Sequence, residues 1–201
     1  MISAGFETTD PITQTRTVVI QGARETSGRG WVLEVHNPQG AAAFLSHVHR
    51  TWTETFEILQ GSAVCRVGAA EHRLAAGEEI VMPPKVPHVH PWNAGTGVMV
   101  YRQTNDFGAS TPDAVDDILG AFATIHGLAR EGRVGKRGLP KNLLQFAATG
   151  RAYTKHGSFD AAMPILLQLG LSATLGRLAE ALGYRAVYDR YLLAPAEERL
   201  V

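Results

Sequence analysis

Apolar and polar residues alternate in short runs through the first half of the chain and recur at three- and four-residue spacing in the second, with the change falling at residues 106–112. Period-two runs predict strands with one face inward. They cover residues 16–21, 31–36, 41–49, 54–59, 63–67, 71–74, 79–82, 88–92 and 98–102, each bounded by Gly, Pro or Asn. In 31–36, for example, Trp31, Leu33 and Val35 are set against Val32, Glu34 and His36. Runs 54–59 and 63–67 read as a hairpin turning at Gln60-Gly61-Ser62. About nine short strands at this spacing predict an all-β sandwich or barrel.

Helical periodicity starts at Thr111, an N-cap candidate before Pro112 and the acids Asp113, Asp116 and Asp117. Ile118, Leu119, Phe122 and Ile125 make its apolar face. Gly127 and the basic, glycine-rich run 130–138 are expected to break it into a solvated loop. A second helix is expected from 139–141 through Leu143, Leu144, Phe146 and Ala147. A third should begin after Ser158 or Asp160 and run through Leu182, capped at Gly183. Residues 161–176 carry no charge, yet the run is shorter than a bilayer-spanning helix requires. Burial against the barrel or a second subunit is the expectation, with in-plane membrane contact as the alternative. The organisation predicted is a β-barrel over 1–106 and a helical extension over 107–201, packed on the barrel or on a partner subunit.

The 19 basic and 19 acidic residues balance, which removes any global electrostatic case for nucleic acid or an anionic membrane. The single cysteine, Cys65, excludes an intramolecular disulfide framework, and its apolar run marks it as a buried hydrophobe. Residues 1–14 lack a basic segment followed by an apolar one, so a cytoplasmic location is expected.

The chemistry concentrates in His47-Val48-His49-Arg50-Thr51-Trp52-Thr53-Glu54. Residues i and i+2 of a strand share a face, so His47 and His49 project together, and Glu54 is expected to join them from a neighbouring position in the sheet. Two imidazoles and a carboxylate are ligands for a divalent transition metal: Fe, Mn, Ni, Cu or Zn. A fourth ligand, His88, follows Pro83, Pro84 and Pro87, which stiffen the preceding turn. His90 shares the face of His88 and is expected on the pocket wall or behind the ligands. Phe56, Met82, Trp92 and Tyr101, with Trp31 and Phe44, are candidates to line a pocket, with plain barrel core as the competing reading. His36, His72, His126 and His156 read as solvated or satisfied core histidines, and Glu57 as solvent-facing.

Two motifs carry a resemblance. Gly40, six residues, His47-x-His49, four residues, Glu54, six residues, Gly61 is similar to the first motif of the cupins, with its leading glycine displaced by one. Gly77, five residues, Pro83-x-Lys85-x2-His88, four residues, Asn93 resembles the second, with Lys85 in place of the inner glycine and the asparagine one residue late. The resemblance covers residues 16–104. It implies a mainly β cupin jelly-roll barrel (a double-stranded β-helix), followed here by a C-terminal bundle of two or three helices. It also implies one divalent metal on His47, His49, Glu54 and His88. The lysine touches the turn rather than the ligands. The segment Arg137-Gly138-Leu139-Pro140 and the ending Leu182-Gly183-Tyr184-Arg185 resemble a bacterial subgroup of single-barrel cupins with helical tails, which sharpens the architecture and leaves the reaction open.

The expected function is a metal-dependent enzyme on a small molecule in the barrel, of dioxygenase type or else an isomerase or lyase. The alternative is a non-catalytic small-molecule-binding or sensor module. A homodimer is expected because cupin barrels commonly pair and the uncharged third helix needs a partner surface.

Overall fold

The computed structural model describes residues 2–109 and 111–192. Strands β1 (Glu7–Thr9), β2 (Arg16–Gln21), β3 (Gly30–Asn37), β4 (His47–His49), β5 (Thr53–Gln60), β6 (Ser62–Val67), β7 (Ala70–Ala75), β8 (Glu79–Met82), β9 (His88–Asn93) and β10 (Met99–Asp106) precede helices α1 (Pro112–Arg130) and α2 (Leu143–Lys155). A further strand, β11 (Ser158–Asp160), comes before α3 (Ile165–Leu171), a π-helical stretch (Ser172–Gly176) and α4 (Arg177–Ala181).

The strands form two facing sheets, one ordered β1-β2-β3-β10-β5-β8 and the other β11-β4-β9-β6-β7. This is the predicted mainly β jelly roll. Alternation decides the faces: Trp31, Leu33 and Val35 of β3, Phe56 and Ile58 of β5, and Met99 and Tyr101 of β10 are buried between the sheets. Cys65 is buried with them, and burial pushes its thiol up to about 11. Asn93, the last residue of the second motif, ties the sheets together at one end, donating to the carbonyls of Asn37 (2.8 Å) and Gly97 (2.7 Å).

Three local expectations need correction. Strands β5 and β6 are not a hairpin: β5 pairs with β10 and β8, while β6 pairs with β7 and β9 in the opposite sheet. Gly61, at φ +82°, turns the chain from one sheet to the other, where a Cβ would come 3.3 Å from the Met99 Cα. The run 41–49 is a strand only over His47–His49, because residues 41–46 have no ladder partner and stay exposed. Finally, β1 and β11 were not foreseen.

The helices also shift. Gly127 does not end α1, which continues to Arg130. The Tyr191 ring lies where a Cβ at 127 would sit, 2.2 Å from its nearest atom, so this glycine provides close packing rather than a break. Thr111 holds the N-cap position without a side-chain cap. Pro140 instead bridges to Val134, and α2 begins at Leu143, where the Asn142 side chain caps it by accepting from Gln145 N at 3.0 Å. Val115, Ile118 and Leu119 of α1 join the barrel core. The third helical rod does not bury its leucines against the barrel. No residue of α3 is buried, and Leu166 (83% exposed), Leu167, Leu171, Leu178 and Leu182 face outward. Among the described residues no helix is long and apolar enough to cross a membrane.

Candidate metal centre

Glu54 is the one acid on the inner face of β5, flanked by buried Trp52 and Phe56. Its outer oxygen, Oε1, accepts from Asn105 Nδ2 (2.7 Å) and Gln103 Nε2 (3.0 Å) on β10, where Asn105 pairs directly with Glu54 in the register. These amides fix the carboxylate plane and leave Oε2 pointing across the barrel. There it meets four imidazoles from the facing sheet: the Nε2 of His90 at 2.9 Å, of His88 at 3.0 Å, of His49 at 3.3 Å and of His47 at 3.8 Å. Glu54 therefore joins the histidines from the opposite sheet, not from a neighbouring strand position.

The histidines are held by their own strands. His47 on β4 lies opposite His88 on β9. The Nδ1 of each lies 2.8 Å from a backbone carbonyl two residues earlier, Leu45 O and Val86 O respectively. A carbonyl only accepts, so Nδ1 carries the proton in both rings, and in that tautomer Nε2 is the lone-pair atom, turned toward Glu54. Two lone pairs and a carboxylate oxygen face one another, an arrangement that asks for a cation among them. His49 adds to this, since both its ring nitrogens are buried without a hydrogen-bond partner. One donor atom each from His47, Glu54, His88 and His90 lies within 4.8 Å of the others. Opposite ligands about 2 Å from a common ion are separated by about 4 Å, so this donor set fits a transition metal.

Electrostatics agree. Burial alone would raise the Glu54 carboxyl, but its electrostatic interaction with His90 and the hydrogen bonds of His47, His49 and His88 prevail and hold it well below the usual carboxylate range. Burial brings His90 down to about 4 against the pull of Glu54, and it also lowers His49. Burial thus favours the neutral form of His49 and His90, the form in which an imidazole can bind a metal.

The structure brings all four expected ligands together and adds His90, which belongs to the four-donor convergence while His49 stands just beside it. Of the expected pocket residues, Phe56 packs on His90 (4.8 Å between centroids), Tyr101 packs on Phe56 (5.7 Å) and Met82 pairs with Glu54 across β8 and β5. All three are core residues as well as neighbours of the site, whereas Trp92 is only half-buried. Phe44, on the exposed loop before β4, stacks on His90 (4.9 Å) and meets His47 edge-on (5.3 Å), covering the cluster from outside. Gln103 and Asn105 were missed, although both continue the inward parity of Tyr101. Trp52 was missed too; its ring lies 3.8 Å from that of His49.

A two-sheet jelly roll that gathers histidines of one sheet around a carboxylate of the other is a double-stranded β-helix with an internal His/Glu cluster that could hold a metal ion. Residues 33–101 match the family model of the cupin domain, and this part of the chain is a cupin domain. No curated protein matches the chain. Solved structures that are similar include the cupin domain of Cnp3 from Schizosaccharomyces pombe (18% identity, 46% of this chain and 64% of that one, TM-score 0.41). The matched part thus spans less than two thirds of the yeast domain. Others are an RmlC-like cupin from Shewanella frigidimarina (16%, 49% and 80%, 0.41) and an uncharacterized conserved protein with a double-stranded β-helix domain from Klebsiella pneumoniae (20%, 55% and 85%, 0.40).

Proposed function

We propose that the barrel holds one divalent transition metal on His47, Glu54 and His88, with His49 and His90 completing the imidazole set, and that the protein is a metal-dependent enzyme acting on a small molecule beside it. Oxidoreductase chemistry of the dioxygenase type ranks first, and isomerase or lyase chemistry second. The observation that carries this reading is the pair of Nε2 lone pairs locked toward Glu54 by Leu45 O and Val86 O. When bound, the ion supplies Lewis-acid polarisation of a substrate oxygen at its open positions. The protein's part is to orient and to move a proton. Gln103 and Asn105 keep the carboxylate aimed, while neutral His90, whose Nε2–H donates to Oε2 at 2.9 Å, holds a proton beside that oxygen. Phe44 and Phe56 enclose His90 in an apolar wall that limits water.

Elemental analysis of protein purified from metal-supplemented medium tests this reading, followed by oxygen-uptake and isomerisation assays on small oxygenated and aromatic substrates. About one equivalent of a single transition metal is expected. Protein that neither retains nor takes up a divalent ion overturns it.

One observation favours a sensor as the second reading: β11 joins the helical half directly to the metal strand β4, so a ligand in the barrel is mechanically linked to the helices. Metal binding without turnover, with a ligand-dependent change of assembly state, supports that reading. We further propose that the leucine stripe of α3 and α4 pairs with a second copy. Leu167, Leu171, Leu178 and Leu182 recur at four- and seven-residue spacing, and α3 carries no charge to repel its own image. Light scattering should give a dimer that Leu167→Glu with Leu178→Glu dissociates; a wild-type monomer that floats with liposomes transfers the stripe to a membrane surface.

A further inference from the structure

Outside the barrel, where the β4–β11 edge meets α2 and the π-helical stretch, lies a cleft of about 390 Å³ that the metal chemistry does not use. Val48 and Phe159 are directly paired across β4 and β11, so their side chains share the face opposite His47 and His49. Phe159 lines the cleft, which is therefore behind the metal strand, not in front of it.

Its chemistry is one-sided. Arg50, Arg151 and Lys155 line it, and no acid does. Two of these cations are already engaged at the rim, Arg151 with Glu180 (3.0 Å) and Lys155 with Asp117 (3.0 Å). Arg50 is exposed, and its guanidinium makes no hydrogen bond or ion pair among the described residues. Ser172 accepts from the Thr154 hydroxyl at 2.9 Å, which leaves the Ser172 proton for another acceptor. The remaining wall is apolar: Phe159, Leu169 and Ala173.

The backbone is shaped around this space. Residues 172–176 take the wider π turn, a form that recurs at functional positions in helices. Gly176 closes it, and a Cβ there would come 3.0 Å from Arg151 Cδ, so the glycine lets the arginine lie across the helix. A volume of this size is within the range of small-molecule sites.

We propose that this cleft binds a small amphipathic anion, a single carboxylate or phosphate next to a short apolar or aromatic group, with Arg50 as its charge partner and Ser172 as a hydrogen-bond donor. The apolar part seats on Phe159, Leu169 and Ala173. Because Arg50 directly follows His49, and β11 pairs with β4 along its whole length, such a ligand sits against the backbone of the metal strand and is suited to an effector.

Benzoate and phenyl phosphate are the probes, titrated against the metal-loaded full chain and followed by amide chemical shifts. Saturable shifts at Arg50, Gly157 and Ser172 are expected, and the tighter probe identifies the carboxylate or the phosphate source. Arg50→Glu, at an exposed position, should weaken binding about tenfold by exchanging attraction for repulsion. Ala173→Phe should block the cleft without touching its charges. Glu54→Gln should leave the titration unchanged, which separates this site from anion binding at the metal. The proposal is overturned by shifts confined to the barrel interior, by an Arg50→Glu protein that titrates like wild type, or by no saturable shift with either probe.

Discussion

Replacing Glu54 with glutamine distinguishes a metal-ligand cluster from a structural ion-pair cluster. The amide has the shape of the carboxylate, so no cavity opens in a site where Glu54 is 2% exposed. Its carbonyl keeps the two donors from Gln103 and Asn105. Its NH2 group replaces an acceptor with two donors aimed at the Nε2 lone pairs of His88 at 3.0 Å and of His90 at 2.9 Å, the latter after a tautomer change. One added neutral hydrogen bond contributes about 1 kcal/mol and offsets the lost charge interactions. Metal-free Glu54→Gln should thus lie within about 2 kcal/mol of metal-free wild type, while losing the ion. For wild type, an ion at a hundred times its Kd adds about 2.7 kcal/mol, which in a chain of this size raises the Tm by about 5–10 °C. Thermal melts with and without the metal, together with elemental analysis, measure both arms. A variant that still binds one equivalent and gains the same Tm refutes the ligand assignment. Loss of more than about 3 kcal/mol in the metal-free variant shows instead that a charged carboxylate holds an imidazolium cluster together.

Other predictions concern packing and backbone. Gly127→Ala should destabilise by about 1–2 kcal/mol in urea titration despite alanine's better helix propensity, because the new Cβ displaces the buried Tyr191 ring; unchanged stability refutes the packing role. Lys85 sits at φ +68°, the left-handed conformation that glycine adopts readily, so Lys85→Gly should gain about 0.5–1 kcal/mol and leave metal content unaltered. His126, buried against Thr8, is brought down by burial to about 4 from 6.5. Between those values the unfolded chain takes up a proton that the folded one refuses, so stability falls as pH drops through this window and levels off below about 4. At pH 5 this amounts to about 2 kcal/mol relative to pH 7.5, and His126→Gln should flatten that part of the profile in urea midpoints.

Much of this site was legible because its side chains follow strand parity. His47 with His49, and His88 with His90, sit two apart on their strands with a valine between them, so each pair's shared face can be read from period two alone. Glu54 was legible as a member of the cluster but not in its placement, since nothing local says that Gly61 sends β5 and β6 into different sheets. The exchange of prominence between His49 and His90 depends on side-chain reach across about 4 Å, which no spacing rule encodes. Gln103 and Asn105 were hidden by ending the last strand at Arg102; polar residues at inward positions look like a strand's end until their carboxylate partner is known. The leucines of α3 read as core because apolarity predicts burial without naming what covers them, and Gly127 read as a breaker because Tyr191 lies sixty-four positions away.

Strand β4 is held on one side by a single directly paired residue, His47 with His88, and on the other by all three residues of β11. The strand that secures the first two histidines is thus synthesised more than a hundred residues after them. A nascent chain stopped after Asp106 carries every histidine and the glutamate of the cluster, but its ligand strand is tethered at one rung. On the proposed metal-centre reading, productive loading of an ion falls late in biosynthesis, once Phe159 has closed against Val48, and a ribosome-stalled series should show tight metal capture switching on as Asp160 clears the exit tunnel.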